Sequence, residues 1–137
     1  MARARYQVLV IPYCIMDGQA RFCVFRRNDL DIWQFIAGGG EDEDASILES
    51  AKREAFEEAG IPVTCDYSPL DTCCSIPASC FADAEALWGK QCFVVPEYAF
   101  AVKVKNTSLH LSHEHTEYGW MEYTCAHAMV KYDSNRT

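Results

Sequence analysis

Apolar residues along this chain cluster in short extended runs on either side of one stretch of helical spacing. Arg5 to Met16 is rich in Val, Ile, Leu and Tyr and predicts a strand, with Pro12 suggesting an edge position or a bulge. Asp17-Gly18 is a hairpin turn signal, and Arg21 to Arg27 predicts the returning strand. Asn28 to Asp31 reads as a loop and Ile32 to Ala37 as a short apolar strand, which Gly38-Gly39-Gly40 then breaks. The clear helix runs from about Asp44 to Ala59. Ser46 followed by Glu49 fits a capping box, and Ile47, Leu48, Ala51, Ala55 and Ala59 fall on one face. Gly60 is placed to cap its C-terminus in the left-handed conformation, and Pro62 prevents continuation.

The second half is predominantly extended. Val63 to Ser75 predicts one or two strands, Ile76 to Lys90 is irregular or partly helical, and Gln91 to Lys105 predicts a strand. Within it Tyr98, Phe100, Val102 and Val104 alternate with Ala99, Ala101, Lys103 and Lys105. A loop over Asn106 to Thr116 precedes a short strand at Tyr118 to Met121 and a helix over Thr124 to Tyr132. Strands on both sides of a central helix imply one α/β domain with a mixed sheet.

The length of 137 residues suits a single core, and a 50% hydrophobic, 23% charged composition excludes the disordered class. No apolar run approaches the roughly 20 residues of a membrane-crossing helix. Arg3 and Arg5 before Val8-Leu9-Val10-Ile11 resemble the start of a signal peptide, but Pro12 and Asp17-Gly18 interrupt it. A strand in a cytoplasmic protein is the expectation. The eight cysteines include no Cys-x-x-Cys pair, and Cys14, Cys23 and Cys92 lie in apolar segments, as reduced thiols would.

Charge sharpens the picture. The net charge of −8 argues against nucleic acid or an anionic membrane as a partner. Residues 41–58 hold eight acids against two bases, so this segment carries −6 and the rest of the chain only −2. Glu54, Glu57 and Glu58 stand at i, i+3 and i, i+4, where like charges cost about 0.2–0.5 kcal/mol per pair. They also crowd the negative end of the helix dipole, which disfavours each by about 0.3–1 kcal/mol. Arg53 relieves part of this repulsion. A divalent cation held by hard carboxylate oxygens would relieve more, the alternative being an ordinary acidic surface.

Gly39, Arg53-Glu54, Glu57-Glu58, Gly60 and Ile61 fall on the Nudix signature: glycine, five residues, glutamate, seven residues, then Arg-Glu-hydrophobic-x-Glu-Glu-x-Gly-hydrophobic. The chain therefore resembles the Nudix hydrolases. It departs at Ala45, where that family has its first glutamate and for which Asp44 or Glu43 could substitute, and Ala55 is a small occupant of the hydrophobic slot. Arg26-Arg27-Asn28-Asp29 with Ile32-Trp33-Gln34, and Glu114-His115 with Tyr118-Gly119-Trp120, resemble the dihydroneopterin triphosphate pyrophosphatase (dATP pyrophosphohydrolase) branch. By that resemblance a terminal helix would begin around Tyr132 to Arg136.

The resemblance implies an α/β/α sandwich with a mixed sheet, and Mg²⁺-dependent (or Mn²⁺-dependent) hydrolysis of a diphosphate linkage in a small-molecule phosphate substrate. The candidates are a nucleoside triphosphate or dihydroneopterin triphosphate; the alternatives are a dinucleoside polyphosphate or nucleotide-sugar hydrolase, or a binding module that has lost catalysis. It implies Glu54, Glu57 and Glu58 as metal ligands, Arg53 as their orienting cation and Glu114 as a further carboxylate, base or ligand. Arg26 and Arg27 could grip phosphate, Trp33 (with Phe35) could line a base pocket, and Gly38, Gly39 and Gly40 would let backbone approach the substrate. His110, His113 and His115 invite a zinc reading, but they lie in a loop without cysteine partners. The oligomeric state stays open, with a homodimer among the options.

Overall fold

The computed structural model describes residues 3–137. Seven strands form one mixed sheet: β1 Arg3–Met16, β2 Gln19–Arg27, β3 Trp33–Gln34, β4 Ile36–Glu41, β5 Asp66–Pro77, β6 Val94–Lys103 and β7 His115–Met121. The helices are α1 Ile47–Ala59, α2 Ala84–Trp88 and α3 Tyr123–Met129, with single 3₁₀ turns at Ala78–Cys80 and Asp133–Arg136.

β1 is the spine. Its run Val8 to Ile11 is buried on both faces, which is why it reads as continuously apolar rather than alternating. Val8 and Val10 pack with Ala51, Ala55 and Ala59 of α1, whereas Leu9 and Ile11 pack with Ala126 and Val130 on the α3 side. Helices thus cover both faces of the sheet, an α/β/α sandwich. β6 lies parallel to one edge of β1, and the other edge is shared by β4 and β2, both antiparallel. Phe100, Val102 and Val104 face α1 as the alternation implied, while Ala99 joins the α3-side cluster.

Pro12 corrects the edge-strand expectation, because it sits fully buried in this central strand. Pairing with β4 ends at Val10 and pairing with β2 begins at Tyr13, so Pro12 occupies the fork between them. A residue without an N–H loses no ladder bond on that edge. The Gly38-Gly39-Gly40 break is a second correction, since all three residues belong to β4, and Gly38 and Gly39 pair with β1. None has positive φ. A Cβ at Gly38 would overlap the Glu54 carboxyl group, one at Gly39 the Arg3 guanidinium and one at Gly40 the Tyr6 ring. These glycines make room for side chains rather than turning the chain.

α1 starts later than its acidic approach suggested. Ser46 is the N-cap, its hydroxyl accepting from the Glu49 N–H at 3.1 Å, and Asp44 lies in the preceding turn. Gly60 closes the helix at φ 68°. Near the C-terminus α3 is shorter than expected. Val130 leaves it to bridge Trp33, and the 3₁₀ turn that follows buries Asn135, whose side-chain oxygen accepts from the Phe35 N–H at 2.8 Å. No helix among the described residues is long and apolar enough to cross a membrane. All eight cysteines are free thiols.

Candidate active site

Arg53 organises the acidic turn and helix. Its Nε and Nη2 donate to Asp44 Oδ1 and Oδ2 at 3.2 and 3.0 Å, and Nη2 also donates to the Gly39 carbonyl at 3.0 Å. From the same guanidinium, Nη1 reaches Glu54 at 3.0 Å and Glu57 and Glu41 at 3.4 Å. One cation therefore ties the strand β4, the turn and the helix together, using the fork geometry that only arginine offers. Asp44 is held as firmly from the other side. It accepts from the Ser50 hydroxyl at 2.6 Å and the Glu41 N–H at 3.0 Å, and Tyr6 reaches Ser50 at 2.5 Å. Hydrogen bonding to Arg53 holds the Asp44 carboxyl down at about 2. Ala45 and Glu43 are exposed. Of the turn residues 43–45, Asp44 is the one that reaches Arg53.

Glu54 and Glu58 are buried, 9% and 6% exposed, while Glu57 faces solvent. Burial raises the Glu54 pKa to about 7 against the pull of Arg53, with Glu57 and Glu114 adding like charge. Burial also raises Glu58, and next to it stands Glu114, close enough to be its hydrogen-bond partner. Ser112 donates to Glu58 at 3.0 Å. The helix and the loop before β7 thus bring Glu54, Glu57, Glu58 and Glu114 into one acidic patch.

Among the described residues no three acidic, histidine or cysteine side chains converge into a closed metal cage. Mg²⁺ does not require one, because it retains waters and takes substrate phosphates as ligands beside one or two carboxylates. The donor set fits such an ion: oxygen only, two carboxyls disfavoured as anions by burial, and an exposed Glu57 beside them.

His115 was misplaced by the sequence. It opens β7, is 5% exposed and stacks beside Phe25 at 5.3 Å between centroids. Its Nδ1 lies 3.5 Å from Glu58 and its Nε2 3.2 Å from the Gln34 amide. Burial lowers its pKa, so it is held towards the neutral form. A bulge is the reason it escaped notice. Arg26 pairs with Glu117 but Arg27 with His115, so Thr116 is an extra residue that turns His115 inward with Tyr118 and Trp120.

A cleft of about 970 Å³ meets the acidic patch at Glu114; Arg27, Gln34 and His115 also line it, and it extends to Gln7, Glu97, Phe81 and Tyr132. Arg27 faces it, and its partner is Asp29 at 2.6 Å. Arg26 does not line it; its guanidinium pairs with Asp31 and Glu117 beside a separate pocket of about 460 Å³. Trp33 is also absent from the cleft lining. It packs with Phe35 against the α3-side cluster, and the intervening Gln34 reaches the cleft instead. Gly38, Gly39 and Gly40 lie behind Glu54 and Arg53 rather than on the cleft wall.

The NUDIX domain family matches residues 5–136. A NUDIX hydrolase structure from Listeria monocytogenes is 40% identical and superposes with a TM-score of 0.85, covering 97% of this chain and 88% of its own. The Escherichia coli dihydroneopterin triphosphate pyrophosphohydrolase is 23% identical with a TM-score of 0.78, covering 99% and 92%. A Caenorhabditis elegans Ap4A hydrolase is 19% identical with a TM-score of 0.73, covering 97% and 90%. A search of curated proteins returns no match. The fold and the signature helix together define a phosphoanhydride hydrolase, and the chain belongs to the Nudix family. Within that family it is a Nudix pyrophosphohydrolase.

Proposed function

We propose that the protein hydrolyses a diphosphate linkage in a nucleoside triphosphate or a related compound such as dihydroneopterin triphosphate, releasing the monophosphate and pyrophosphate. The observation that carries this reading is the grouping of Glu54, Glu57, Glu58 and Glu114 into one acidic patch, of which Glu114 also lines a cleft of about 970 Å³. Glu54, Glu57 and Glu58 would hold Mg²⁺, or Mn²⁺ in its place. When bound, such an ion supplies Lewis-acid polarisation of phosphate oxygens and an acidified water.

The chain's own residues do the remainder. Arg53 fixes Glu54 and draws Glu57 towards it, so that the ligands keep one arrangement. Glu114, shared between the acidic patch and the cleft, would serve as the base for an attacking water or as a further metal ligand. His115, buried and neutral, packs beside Glu58 and limits its swing. Arg27 offers a guanidinium to substrate phosphate. With a net charge of −8, the protein depends on a cation to tolerate a polyphosphate at this patch. We read it as a cytoplasmic enzyme acting on a free small molecule.

The rival reading, a binding module that has lost catalysis, draws on Ala45 alone; the Asp44–Arg53 pair supports retained activity. The test is a Mg²⁺ assay over nucleoside triphosphates, dinucleoside polyphosphates, nucleotide sugars and dihydroneopterin triphosphate, with products identified by mass. Monophosphate plus pyrophosphate is expected from the best substrate. A nucleoside diphosphate plus orthophosphate in place of monophosphate plus pyrophosphate, or no turnover across the panel, would reject the reading.

A further inference from the structure

The floor of the cleft carries a buried carboxylate that hydrolysis does not use. Gln7 of β1 and Glu97 of β6 are direct partners across the parallel ladder, two residues before Leu9 and Ala99 on the α3-facing side. Glu97 is 4% exposed yet lines the cleft. It accepts from Gln7 Nε2 at 3.1 Å, and among the described residues no cation pairs with it. Arg3 Nη2 donates to Gln7 Oε1 at 2.9 Å, which fixes the amide with its NH₂ group towards Glu97.

That arrangement leaves unused capacity in a definite order. A carboxylate offers about four acceptor sites, and Gln7 takes one of them. The Gln7 NH₂ has a second N–H to give. The floor therefore presents a donor next to acceptors, all of them buried or half-buried, where an unmatched group is costly.

We propose that Gln7 and Glu97 are the specificity-determining pair of this cleft and read a fused 2-amino-4-oxopyrimidine ring, the edge common to guanine and pterin. Such an edge carries a carbonyl acceptor followed by a ring N–H and an amino group. The carbonyl meets Gln7, and the two N–H donors meet Glu97. Adenine places a ring-nitrogen acceptor beside its amino group, uracil sets carbonyls on both sides of its single N–H, and cytosine presents two acceptors. Each would set a lone pair against the carboxylate. Sites built on buried hydrogen bonds reject such mismatches more strongly than apolar pockets reject a change of size. Phe81, Ile76 and Tyr132 supply apolar walls for the ring. Glu114 in the same cleft puts the phosphate end of the ligand at the acidic patch. The inference rests on reading the cleft as the substrate site.

The test pairs binding with turnover. Calorimetric titration of GMP, AMP and UMP into metal-free wild type, Glu97→Gln and Gln7→Leu probes the pair directly. Parallel kcat/KM values for GTP and ATP with Mg²⁺ probe it during catalysis. GMP should bind the wild type more tightly than AMP or UMP by at least about tenfold, and both variants should lose most of that preference. The GTP-to-ATP ratio of kcat/KM should fall by a similar factor. Glu97→Gln keeps the shape of the side chain; should it fail to fold, Gln7→Leu carries the test alone. No base preference in the wild type, or a preference that both variants retain, overturns the proposal. Selective GMP binding without turnover of any triphosphate would leave the pair standing and reject the hydrolytic reading instead.

Discussion

Arg53 grips Asp44 through two parallel contacts, Nε to Oδ1 at 3.2 Å and Nη2 to Oδ2 at 3.0 Å, with the two side chains 21% and 11% exposed. This pair lies next to the departure at Ala45. A carboxylate one residue earlier in the turn reaches the same arginine that braces Glu54 and Glu57, and Ser50 and Tyr6 hold it there.

Two substitutions separate the anchor from the gap. Asp44→Ala should destabilise the fold by about 1–3 kcal/mol, because Arg53 and Ser50 lose a half-buried partner. It should also lower kcat, as Arg53 no longer holds one orientation. Ala45→Glu should change kcat/KM by less than about tenfold, roughly 1.4 kcal/mol. Thermal melts and steady-state kinetics check both. A gain far above tenfold in Ala45→Glu would mean that the native chain has lost catalysis.

Glu57→Gln keeps the side chain's shape and removes charge from an exposed position. The expected loss in kcat is at least about a hundredfold, or roughly 2.7 kcal/mol of barrier. Glu54→Gln and Glu58→Gln should lose comparably, with metal-free stability unchanged or higher because each removes a repulsion. Glu49→Gln, on the first turn and away from the patch, should do little. Loss of activity in Glu57→Gln through unfolding would make the residue structural.

Gly38→Ala isolates the steric demand on β4. The added methyl overlaps the Glu54 carboxyl group, so either Glu54 or the strand must move. Activity should fall by at least about a hundredfold, since small displacements of reacting groups carry that cost. Gly119→Ala, where the added carbon meets only the terminal methyl of the Met121 side chain, serves as the comparison. Equal activity in Gly38→Ala and wild type would remove Glu54 from the site.

Buried carboxyls make metal-free stability depend on pH in a definite direction. Glu54 titrates at about 7 in the fold against an ordinary 4.5, so the fold favours its neutral form. Its contribution is complete below about 4.5 and is lost as pH rises through about 7. Glu58 is shifted in the same direction. Asp44 acts oppositely and far lower, its contribution present above 3.8 and lost as pH falls through about 2. In EDTA, Tm should therefore decline between about pH 5 and pH 8, and Mg²⁺ should offset the decline at the upper end. A Tm that rises over that range and ignores Mg²⁺ would contradict this.

Local signals carried much of this structure. The helical spacing of Ala51, Ala55 and Ala59, the Ser46 cap and the Gly60 stop depend on near neighbours, and each stands where the sequence put it. Pro12 misled because edge or centre is a property of strand pairing, which the residue itself does not encode. The glycines of β4 misled because they were read for conformational freedom, whereas each serves a side chain distant in sequence. His115 was hidden by one inserted residue, Thr116, which reverses the strand's alternation. Trp33 illustrates the same limit: its chemistry suits a base pocket, but its parity in β3 sends it to the core.

The most direct measurement is turnover of the best panel substrate by enzyme stripped of divalent ions, then titrated with Mg²⁺, for wild type and Glu57→Gln side by side. Stripped wild type should be inactive and recover fully with Mg²⁺, whereas Glu57→Gln should need more Mg²⁺ and reach a far lower rate. Undiminished turnover after thorough chelation, or identical Mg²⁺ dependence in the two proteins, would contradict a metal site built on these glutamates.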